Sequence, residues 1–233
     1  LAVCHELGIG EVYRIGGVQA VAALAAGTGT IAKVQMIVGP GNKWVQAAKK
    51  NVAGDYVAIE SLAGPSEVLV IANEQANPAW VAADMLSQAE HGPDSSAIVL
   101  TDSAELAGRI LEELQEQLEH LDRGAEAASS LTRYSRIIVL QSMDRAVEIA
   151  NDLASEHLEV QCGDRSRDIA ARIRNAGAIF IGPYTPVAVG DYWAGPSHTL
   201  PTGSRAKFAS ALTSNDFIKS ISVVEYSRRQ LAA

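Results

Sequence analysis

The chain of 233 residues carries a formal net charge of -8 and is 48% hydrophobic, which is enough apolar material for a substantial core. The acidic balance argues against the basic face that a nucleic-acid-binding protein needs, and no apolar run approaches the roughly 20 residues of a membrane span. Cys4 and Cys162 lie far apart and in no metal-ligand spacing, so we expect two free, buried thiols in a reducing, cytoplasmic environment.

The first part of the chain alternates helical patterns with short apolar runs. In chain order, the patterns predict helices over residues 1–9, 17–30 and 43–53, and strands over residues 11–17, 34–38, 56–61 and 66–72, with a tight turn at residues 39–42 after the second strand. The stretch AGPSE, residues 63–67, interrupts this pattern with Gly and Pro and is a candidate border between two lobes.

The remainder continues the alternation. Asn77 is a predicted N-cap with Pro78 at the first helical position, and Ser103 caps the next long helix. The predicted helices cover residues 77–91, 104–121, 143–154 and 165–177, and the predicted strands cover residues 95–103, 136–142, 158–162 and 178–183. Strands and helices alternating at this spacing predict an α/β fold with a mostly parallel sheet covered by helices.

No GxGxxG motif follows any predicted strand, so the usual dinucleotide fingerprint is missing. The motif GPGN, residues 39–42, does follow a strand and open a helix. Its backbone N–H groups could receive an anion or an amide. A structural turn with Asn42 as N-cap is the simpler interpretation.

Three of the five histidines lie beside turn-forming or acidic residues: His91 in QAEHGPD, His157 in SEHLEV and His198 in GDYWAGPSHTLP. His5 and His120 stand alone and are best explained as solvated or packed side chains. In open α/β sheets, ligand sites lie in the crevice beyond the strand ends, where loops of this kind converge.

Gln88 and His91 are three residues apart at the end of a predicted helix, so they share one face. Gly92 then stops the helix and leaves that face open. With Asp191 they offer imidazole, carboxylate and carboxamide donors of the kind that could bind Zn²⁺. Alternatively, Gln88 and His91 cap the negative end of the helix dipole.

Glu156 and His157 are adjacent where a helix gives way to a strand. A histidine near its ordinary pKa can take a proton from an alcohol, and a carboxylate can activate water. The pair could therefore serve a two-stage reaction, or it could simply be a charged pair that ends a helix.

Six motifs follow one another along the chain: GGVQA, VGPGN, AGPSEVLVIA, SQAEHGPDS, EHLEV and GDYWAGPSHTLPT. In order and spacing, from residue 16 to about residue 203, they resemble the signatures of the histidinol dehydrogenase family. The resemblance implies a zinc-containing enzyme that oxidises L-histidinol through L-histidinal to L-histidine with two NAD, the last step of histidine biosynthesis. It also implies two Rossmann-like lobes of mostly parallel sheet with flanking helices, which bind NAD without GxGxxG.

Carried over motif by motif, the resemblance makes Gln88, His91 and Asp191 zinc ligands and Glu156 and His157 the catalytic pair. It implies substrate contacts from six side chains, namely Ser66, Gln88, His91, His157, Asp191 and His198.

The resemblance also places Gln19 of GGVQA and Asn42 of GPGN against NAD. The family's chain is longer at both ends, so we expect a central fragment whose two lobes are both incomplete. Residues 1–65 would belong to the NAD-contacting lobe, residues 66–211 would form the lobe with the zinc and catalytic residues, and residues 212–233 would begin the C-terminal region.

In the family, the C-terminal tail supplies a fourth zinc ligand, a histidine, and a substrate-binding glutamate, and it reaches across to the partner subunit. The resemblance therefore implies a homodimer, and we expect this chain alone to be weakly active at best. Two alternatives stay open. One is a zinc-dependent hydrolase in which Glu156 activates water, and the other is an inactive fragment that retains the sheet motifs but no metal.

Overall fold

A computed structural model describes residues 1–232, and within them the chain forms ten α-helices, seven β-strands and three short 3-10 helices. The helices are α1 (Ala2–Glu6), α2 (Gly17–Ala26), α3 (Lys43–Val52), α4 (Pro78–Ala89), α5 (Ala104–Glu119), α6 (Gly124–Tyr134), α7 (Met143–Leu153), α8 (Ser166–Ala170), α9 (Val187–Tyr192) and α10 (Arg228–Leu231). The strands are β1 (Met36–Ile37), β2 (Ala58–Ile59), β3 (Glu67–Ala72), β4 (Ser96–Thr101), β5 (Arg136–Val139), β6 (His157–Gln161) and β7 (Ala178–Ile181). No helix in this part of the chain is long and apolar enough to cross a membrane.

The larger sheet has five parallel strands in the order β5-β4-β3-β6-β7, so the chain winds outward in both directions from the central strand β3. This is a doubly wound arrangement. On one side Leu69 of β3 pairs with Ile98 of β4, and on the other side Val68 pairs with His157 of β6. The smaller sheet is the parallel pair β1–β2. The predicted α/β fold of mostly parallel sheets with flanking helices is confirmed.

Side chains of β3 alternate between two apolar layers. Val68 and Val70 belong to the layer that contains α4, α5 and α6, whereas Leu69 and Ile71 belong to the layer that contains α7 and α8. All four are at most 2% exposed, and a strand buried on both faces explains the unbroken apolar run in its sequence. Burial contributes about 1.5–3 kcal/mol for each such side chain. These four side chains therefore fix the position of β3 and of the residues at its two ends.

Several predictions of local structure are wrong. The helix predicted over residues 165–177, for example, ends at Ala170. Residues 11–16 form no strand, and all of them are exposed; β-forming residues without a neighbouring strand in the described chain gain no ladder hydrogen bonds. The helix predicted to reach His91 ends at Ala89, with Glu90 as its C-cap. Pro93 disfavours helical backbone at the residue before it, and His91 therefore lies in the turn that follows α4.

A buried ion pair holds the GPGN turn. Lys49 Nζ lies 2.8 Å from both carboxylate oxygens of Glu60 and donates to the Gly39 carbonyl at 3.0 Å. The Gly39 N–H donates to Glu60 Oε1 at 2.8 Å. The side chains of Lys49 and Glu60 are 1% and 5% exposed. Gly39 has a φ of 117°, a backbone conformation that favours glycine. The ion pair therefore fixes both the N–H and the carbonyl of this glycine.

We expect Lys49→Met to lower the free energy of unfolding by about 3–5 kcal/mol, because Glu60 would be left as an uncompensated buried charge. Urea unfolding followed by circular dichroism measures this loss. The neighbouring Lys50 is exposed, so Lys50→Met is the matched control and should stay within about 0.5 kcal/mol of wild type. Equal losses in the two variants would show that the ion pair does not stabilise the turn.

Candidate active site

The residues predicted to carry chemistry gather at the amino-terminal edge of the five-stranded sheet. Ser66 lies immediately before β3, and Glu156 lies immediately before β6, whose first residue is His157. Because Val68 pairs with His157 in the parallel ladder, the beginnings of the two central strands lie side by side. The loop after α4, which contains His91, leads to the beginning of β4 on the other side of β3.

At the opposite edge of the sheet, the loops that follow β3 and β6 contact each other. Open α/β sheets usually bind ligands beyond the carboxyl ends of the strands, at the point where the strand order reverses, which here lies between β3 and β6. There the Asn73 carboxamide donates to the Cys162 carbonyl at 3.4 Å, and a side chain added at Gly163 would overlap Gln75. The loops that follow the two strands thus meet at the reversal point, and the candidate site is at the other edge.

One backbone unit, Glu67, holds both members of the Glu156–His157 pair. The Glu67 N–H donates to Glu156 Oε2 at 3.0 Å, and the Glu67 carbonyl accepts from His157 Nδ1 at 3.1 Å. Since a carbonyl oxygen only accepts, Nδ1 carries the hydrogen and Nε2 of His157 keeps its lone pair. Nδ1 and Glu156 Oε2 are 3.6 Å apart. The pair therefore presents a carboxyl group and a free imidazole nitrogen in fixed orientations.

Burial sets the acidity of both groups. It raises the pKa of Glu156 from 4.5 to about 7, with smaller increases from the charges of Glu67 and Asp191 and decreases from hydrogen bonds with Glu67 and Ser66. Burial also lowers the pKa of His157 below 6.5. The imidazole is consequently neutral at neutral pH, and the carboxyl group titrates near neutrality, which suits groups that exchange protons with a substrate.

We expect Glu156→Gln to remove a pH-dependent part of the free energy of unfolding. The folded-state pKa of Glu156, about 7, lies above the unfolded value of 4.5, so the folded state binds this proton more tightly. Its contribution to stability is complete below about pH 4.5 and is lost as the pH rises to about 7. The variant stays neutral, so its free energy of unfolding should rise relative to that of wild type by on the order of 3 kcal/mol between about pH 4.5 and pH 7.

Urea unfolding of both proteins between about pH 5 and pH 8 measures the difference. Glu148 is exposed and paired with Arg145, so Glu148→Gln is the control whose difference from wild type should stay nearly constant. His157 has the opposite pH dependence, because its lowered pKa favours the folded state as the pH rises to 6.5. Both wild type and variant contain His157, so its contribution cancels in the difference between them. A pH-independent difference for Glu156→Gln would contradict the raised pKa.

Gln88 and His91 extend this site from α4. The Gln88 side chain is 2% exposed, and its carboxamide nitrogen has no hydrogen-bond partner in the described chain. His91 is exposed, and its Nδ1 donates to the Ser87 carbonyl at 2.8 Å. That bond caps the end of α4, as one interpretation of the sequence predicts, and it also leaves Nε2 free for a ligand.

Asp191 and His198 come from α9 and the loop after it. Asp191 is half-buried and His198 is exposed, and the charges of Asp191, His91 and His198 all act on the pKa of His157. Gly190 lets α9 lie against Phe180, since a Cβ there would approach the ring to 2.7 Å. The structure thus brings these side chains to the same edge of the sheet as the Glu156–His157 pair.

The two residues predicted to contact NAD lie outside this cluster. Gln19 is exposed on α2. The Asn42 side-chain oxygen accepts from the N–H groups of Trp44 and Val45 at 3.0 and 3.1 Å, so it caps α3 and only its NH₂ group is left to bind another molecule. Asn42 lines a cavity of about 600 Å³ formed by residues 41–44, 46, 63–66 and 91–95. Gln19 is not among the residues that line it.

Metal binding depends on an uncommon donor. Among residues 1–232, no three or more His, Cys, Asp or Glu side chains are arranged to hold a metal ion, and the predicted set contains only two of that kind, His91 and Asp191. Its third member is the carboxamide of Gln88. A half-turn of that group would exchange its buried nitrogen for the oxygen that a metal binds. Imidazole nitrogen and carboxylate oxygen are normal zinc donors, so the chemistry of the set fits zinc.

Glu67 is the part of the site that the sequence analysis missed. Its backbone holds Glu156 and His157, and its own side chain accepts from the Gly203 N–H at 3.0 Å. Burial raises the pKa of this carboxyl group as well. The available signal was its place directly after Ser66, as the charged first residue of an otherwise apolar buried strand.

The doubly wound sheet and the buried acid–base pair at its amino edge define an α/β protein with the groups needed for proton transfer. The chain belongs to the histidinol dehydrogenase family, whose model matches residues 1–233. The histidinol dehydrogenase of Synechococcus sp. is 50% identical over 231 residues, which are 99% of this chain and 53% of that protein. That of Gluconobacter oxydans is 51% identical over 225 residues, 97% of this chain and 52% of that protein.

The crystal structure of histidinol dehydrogenase from Elizabethkingia anophelis superposes with a TM-score of 0.92 and 40% sequence identity, covering 98% of this chain and 52% of that chain. The resemblance carried by the six motifs is confirmed. The chain spans about half the length of the curated relatives that it matches.

Proposed function

We propose that this chain carries the reactive lobe of an enzyme that oxidises L-histidinol through L-histidinal to L-histidine with two NAD, the last step of histidine biosynthesis. The observation that carries the proposal is the buried Glu156–His157 pair, held by one backbone unit in a chain of the histidinol dehydrogenase family. Two oxidations at one carbon require a group that takes the alcohol proton and a group that activates water for attack on the aldehyde. The pair supplies one of each.

His157 is the base for the alcohol. Its Nδ1–H donates to the Glu67 carbonyl, so Nε2 keeps its lone pair and can accept the proton, and its lowered pKa keeps the ring neutral until the proton arrives. NAD, when bound, supplies the hydride acceptor for both oxidations. Phe180 packs beside the imidazole, with its ring centroid 6.0 Å from that of the imidazole and the two rings tilted by 47°.

Glu156 is the group that activates water. A carboxyl group with a pKa of about 7 is ionised in part of the molecules at neutral pH, so it can take a proton from water as the aldehyde is attacked. The Glu67 N–H fixes Oε2 and leaves Oε1 for the water. Burial of the pair excludes bulk solvent, which keeps the aldehyde from side reactions between the two steps.

Gln88, His91 and Asp191 would hold Zn²⁺. Their donor types fit the ion, and the free Nε2 of His91 and the unpartnered carboxamide of Gln88 are the observations that support it. Zinc, when bound, supplies a positive charge that orients the imidazole and amine of the substrate. Ser66 and His198 would complete the substrate contacts, together with the zinc set and His157.

The cavity beside the GPGN turn supports the placing of NAD. It extends from Asn42 to Ser66 and His91, so it links the turn to the proposed substrate position. We assign Asn42 and Gln19 as NAD contacts, Asn42 through its NH₂ group.

We further propose a cytoplasmic homodimer and a division of the chain at residues 65 and 211. The two-stranded sheet lies within residues 1–65 and the five-stranded sheet within residues 66–211. Residues 212–232 contain no strand and expose several large apolar side chains, which suits a segment that packs on another surface.

Calorimetric titration with L-histidinol tests the proposal. The zinc-loaded protein should bind L-histidinol with a Kd in the range of about 1 μM to 1 mM that is typical of enzyme substrates. L-Alaninol, which has the same amine and alcohol but no imidazole, should bind at least about tenfold more weakly, and removal of zinc with a chelator should weaken L-histidinol binding by a similar factor. Equal affinity for the two alcohols would contradict a site built for histidinol.

A further inference from the structure

Strand β6 carries a polar stripe inside the core. His157, Glu159 and Gln161 occupy alternate positions and are 7%, 1% and 4% exposed. Leu158 and Val160, between them, belong to the apolar layer with α7 and α8, so the three polar side chains face the other layer, which contains α4. The equivalent face of the neighbouring β3 is apolar throughout.

The stripe meets a second polar group on α4. Asp84 is 8% exposed, and the Gln161 amide bridges its carboxyl group to that of Glu159. The Gln161 amide donates to Glu159 Oε2 at 3.0 Å and to Asp84 Oδ2 at 3.5 Å. Two carboxyl groups that share a buried site hold a proton between them. In accord with this, burial and the charge of Asp84 raise the pKa of Glu159 well above its ordinary value.

Glu159 also holds the beginning of α9. Its Oε1 accepts from the Val187 N–H at 3.2 Å, and the N-cap of that helix, Pro186, provides no side-chain cap. Asp191 lies four residues after Val187, about one helical turn along α9.

The same cluster is one turn away from the α4 donors. Asp84 precedes Gln88 by four residues and therefore shares its helix face, while His157 lies two residues before Glu159 on the same face of β6. The three elements that carry the proposed zinc and acid–base groups are thus joined by one set of buried hydrogen bonds.

We propose that Glu159 and Asp84 form a positioning pair that sets Asp191 of α9 and Gln88 of α4 at their spacing beside His157. The pair acts through the two helices, and both of its members are buried, Glu159 at 1% and Asp84 at 8% exposed. The stability of the fold does not require the pair, because proteins with apolar residues of similar volume in place of buried polar groups are often equally stable. The same face of the adjacent strand β3 is entirely apolar. This inference rests on the proposed function, since the donors it positions are those assigned to zinc.

Zinc affinity of the full chain, measured by competition with a chelator, tests the pair. Glu159→Leu should weaken zinc binding by about 10–100-fold, the usual effect of losing a residue that orients metal ligands. Glu159→Gln keeps an acceptor for Val187 and a donor for Asp84. A half-turn of the Gln161 carboxamide would bring its unpartnered oxygen to the new NH₂ group, so zinc affinity should stay within about threefold of wild type. The matched control is Asn151→Leu. Asn151 is 7% exposed and bonds to Arg174 and Asn175 from α7, in the opposite layer, so this variant should bind zinc as wild type does.

Three results would overturn the inference. They are wild-type affinity in folded Glu159→Leu, a loss in Glu159→Gln as large as in Glu159→Leu, and an equal loss in Asn151→Leu, which would indicate general destabilisation. If the wild-type chain binds no zinc, the proposed function fails. Amide hydrogen exchange then tests separately whether Glu159 holds α9 in place. Glu159→Leu should then speed exchange at residues 190–194 more than in α7, and unchanged exchange there would overturn the pair.

A second variant keeps the test decisive if Glu159→Leu does not fold. Val187→Pro deletes the N–H that donates to Glu159 and leaves both carboxyl groups in place. Its apolar ring takes the place of the buried valine side chain. Proline is tolerated at the first position of a helix, and Pro186 already has a ψ of 160°, as a residue before proline prefers. We expect zinc affinity to fall by about tenfold. Wild-type affinity in this variant would overturn the link through α9.

Discussion

Relative to the rate of the unmodified protein, however low that rate is, replacing His157 by Asn should slow the oxidation of both L-histidinol and L-histidinal by about 10²–10⁴-fold, the usual contribution of one acid–base group. The asparagine carboxamide can still donate to the Glu67 carbonyl in place of Nδ1, so the local structure should survive. It has no basic nitrogen in place of Nε2, so no group remains to take the hydroxyl proton, either from the alcohol or from the hydrate that forms when water adds to the aldehyde. Initial rates of NADH formation with each substrate measure the effect.

Glu156→Gln distinguishes the two members of the pair. The variant keeps an acceptor for the Glu67 N–H but cannot take a proton from water. We expect it to slow the aldehyde oxidation more than the alcohol oxidation, because only the aldehyde step needs activated water. Equal losses in both steps for Glu156→Gln, or an undiminished rate for His157→Asn, would contradict the division of roles.

Asp191→Ala should weaken zinc binding by at least about 100-fold, since even residues that only orient metal ligands contribute about 10–100-fold. The variant removes the only carboxylate of the proposed donor set and leaves His91 and Gln88 with too few partners for a stable site. Chelator competition on the purified chain gives the affinity.

His198→Ala is the control for that experiment. Both Asp191 and His198 act on the pKa of His157, but His198 is assigned to substrate and not to zinc. It should therefore leave zinc affinity within about threefold of wild type while weakening L-histidinol binding. A larger loss of zinc in His198→Ala than in Asp191→Ala would mean that the donor set is wrong.

The sequence allowed the sheet to be predicted because its signals are local. The buried run of β3 and the caps Asn77 and Ser103 act within a few residues, and the structure contains all three, with Asn77 bonded to the Ala79 N–H and Ser103 to the Leu106 N–H at 3.0 and 3.1 Å. The strand predicted at residues 11–16 is absent, because a strand also needs a neighbouring strand to pair with, and the local sequence does not specify one.

The site was harder to predict because long-range pairing creates it. Glu67 holds the Glu156–His157 pair through its backbone N–H and carbonyl, and every non-proline residue has those groups, so no residue type reveals the role. The edge at which the site lies depends equally on strand order. The bridge from Asp84 through Gln161 to Glu159 joins helix α4 to a residue 75 positions further along the chain, and no local pattern in HLEVQ reveals which helix supplies the partner.

The ratio of NADH to L-histidine formed from L-histidinol by the zinc-loaded protein tests the proposed function most directly. Nicotinamide absorbance gives the first quantity and chromatography of the product gives the second. Two successive oxidations at the Glu156–His157 site predict two NADH for each L-histidine, and no product without NAD. One NADH with L-histidinal released as the end product, or turnover without NAD as in a zinc-dependent hydrolase, would contradict the account.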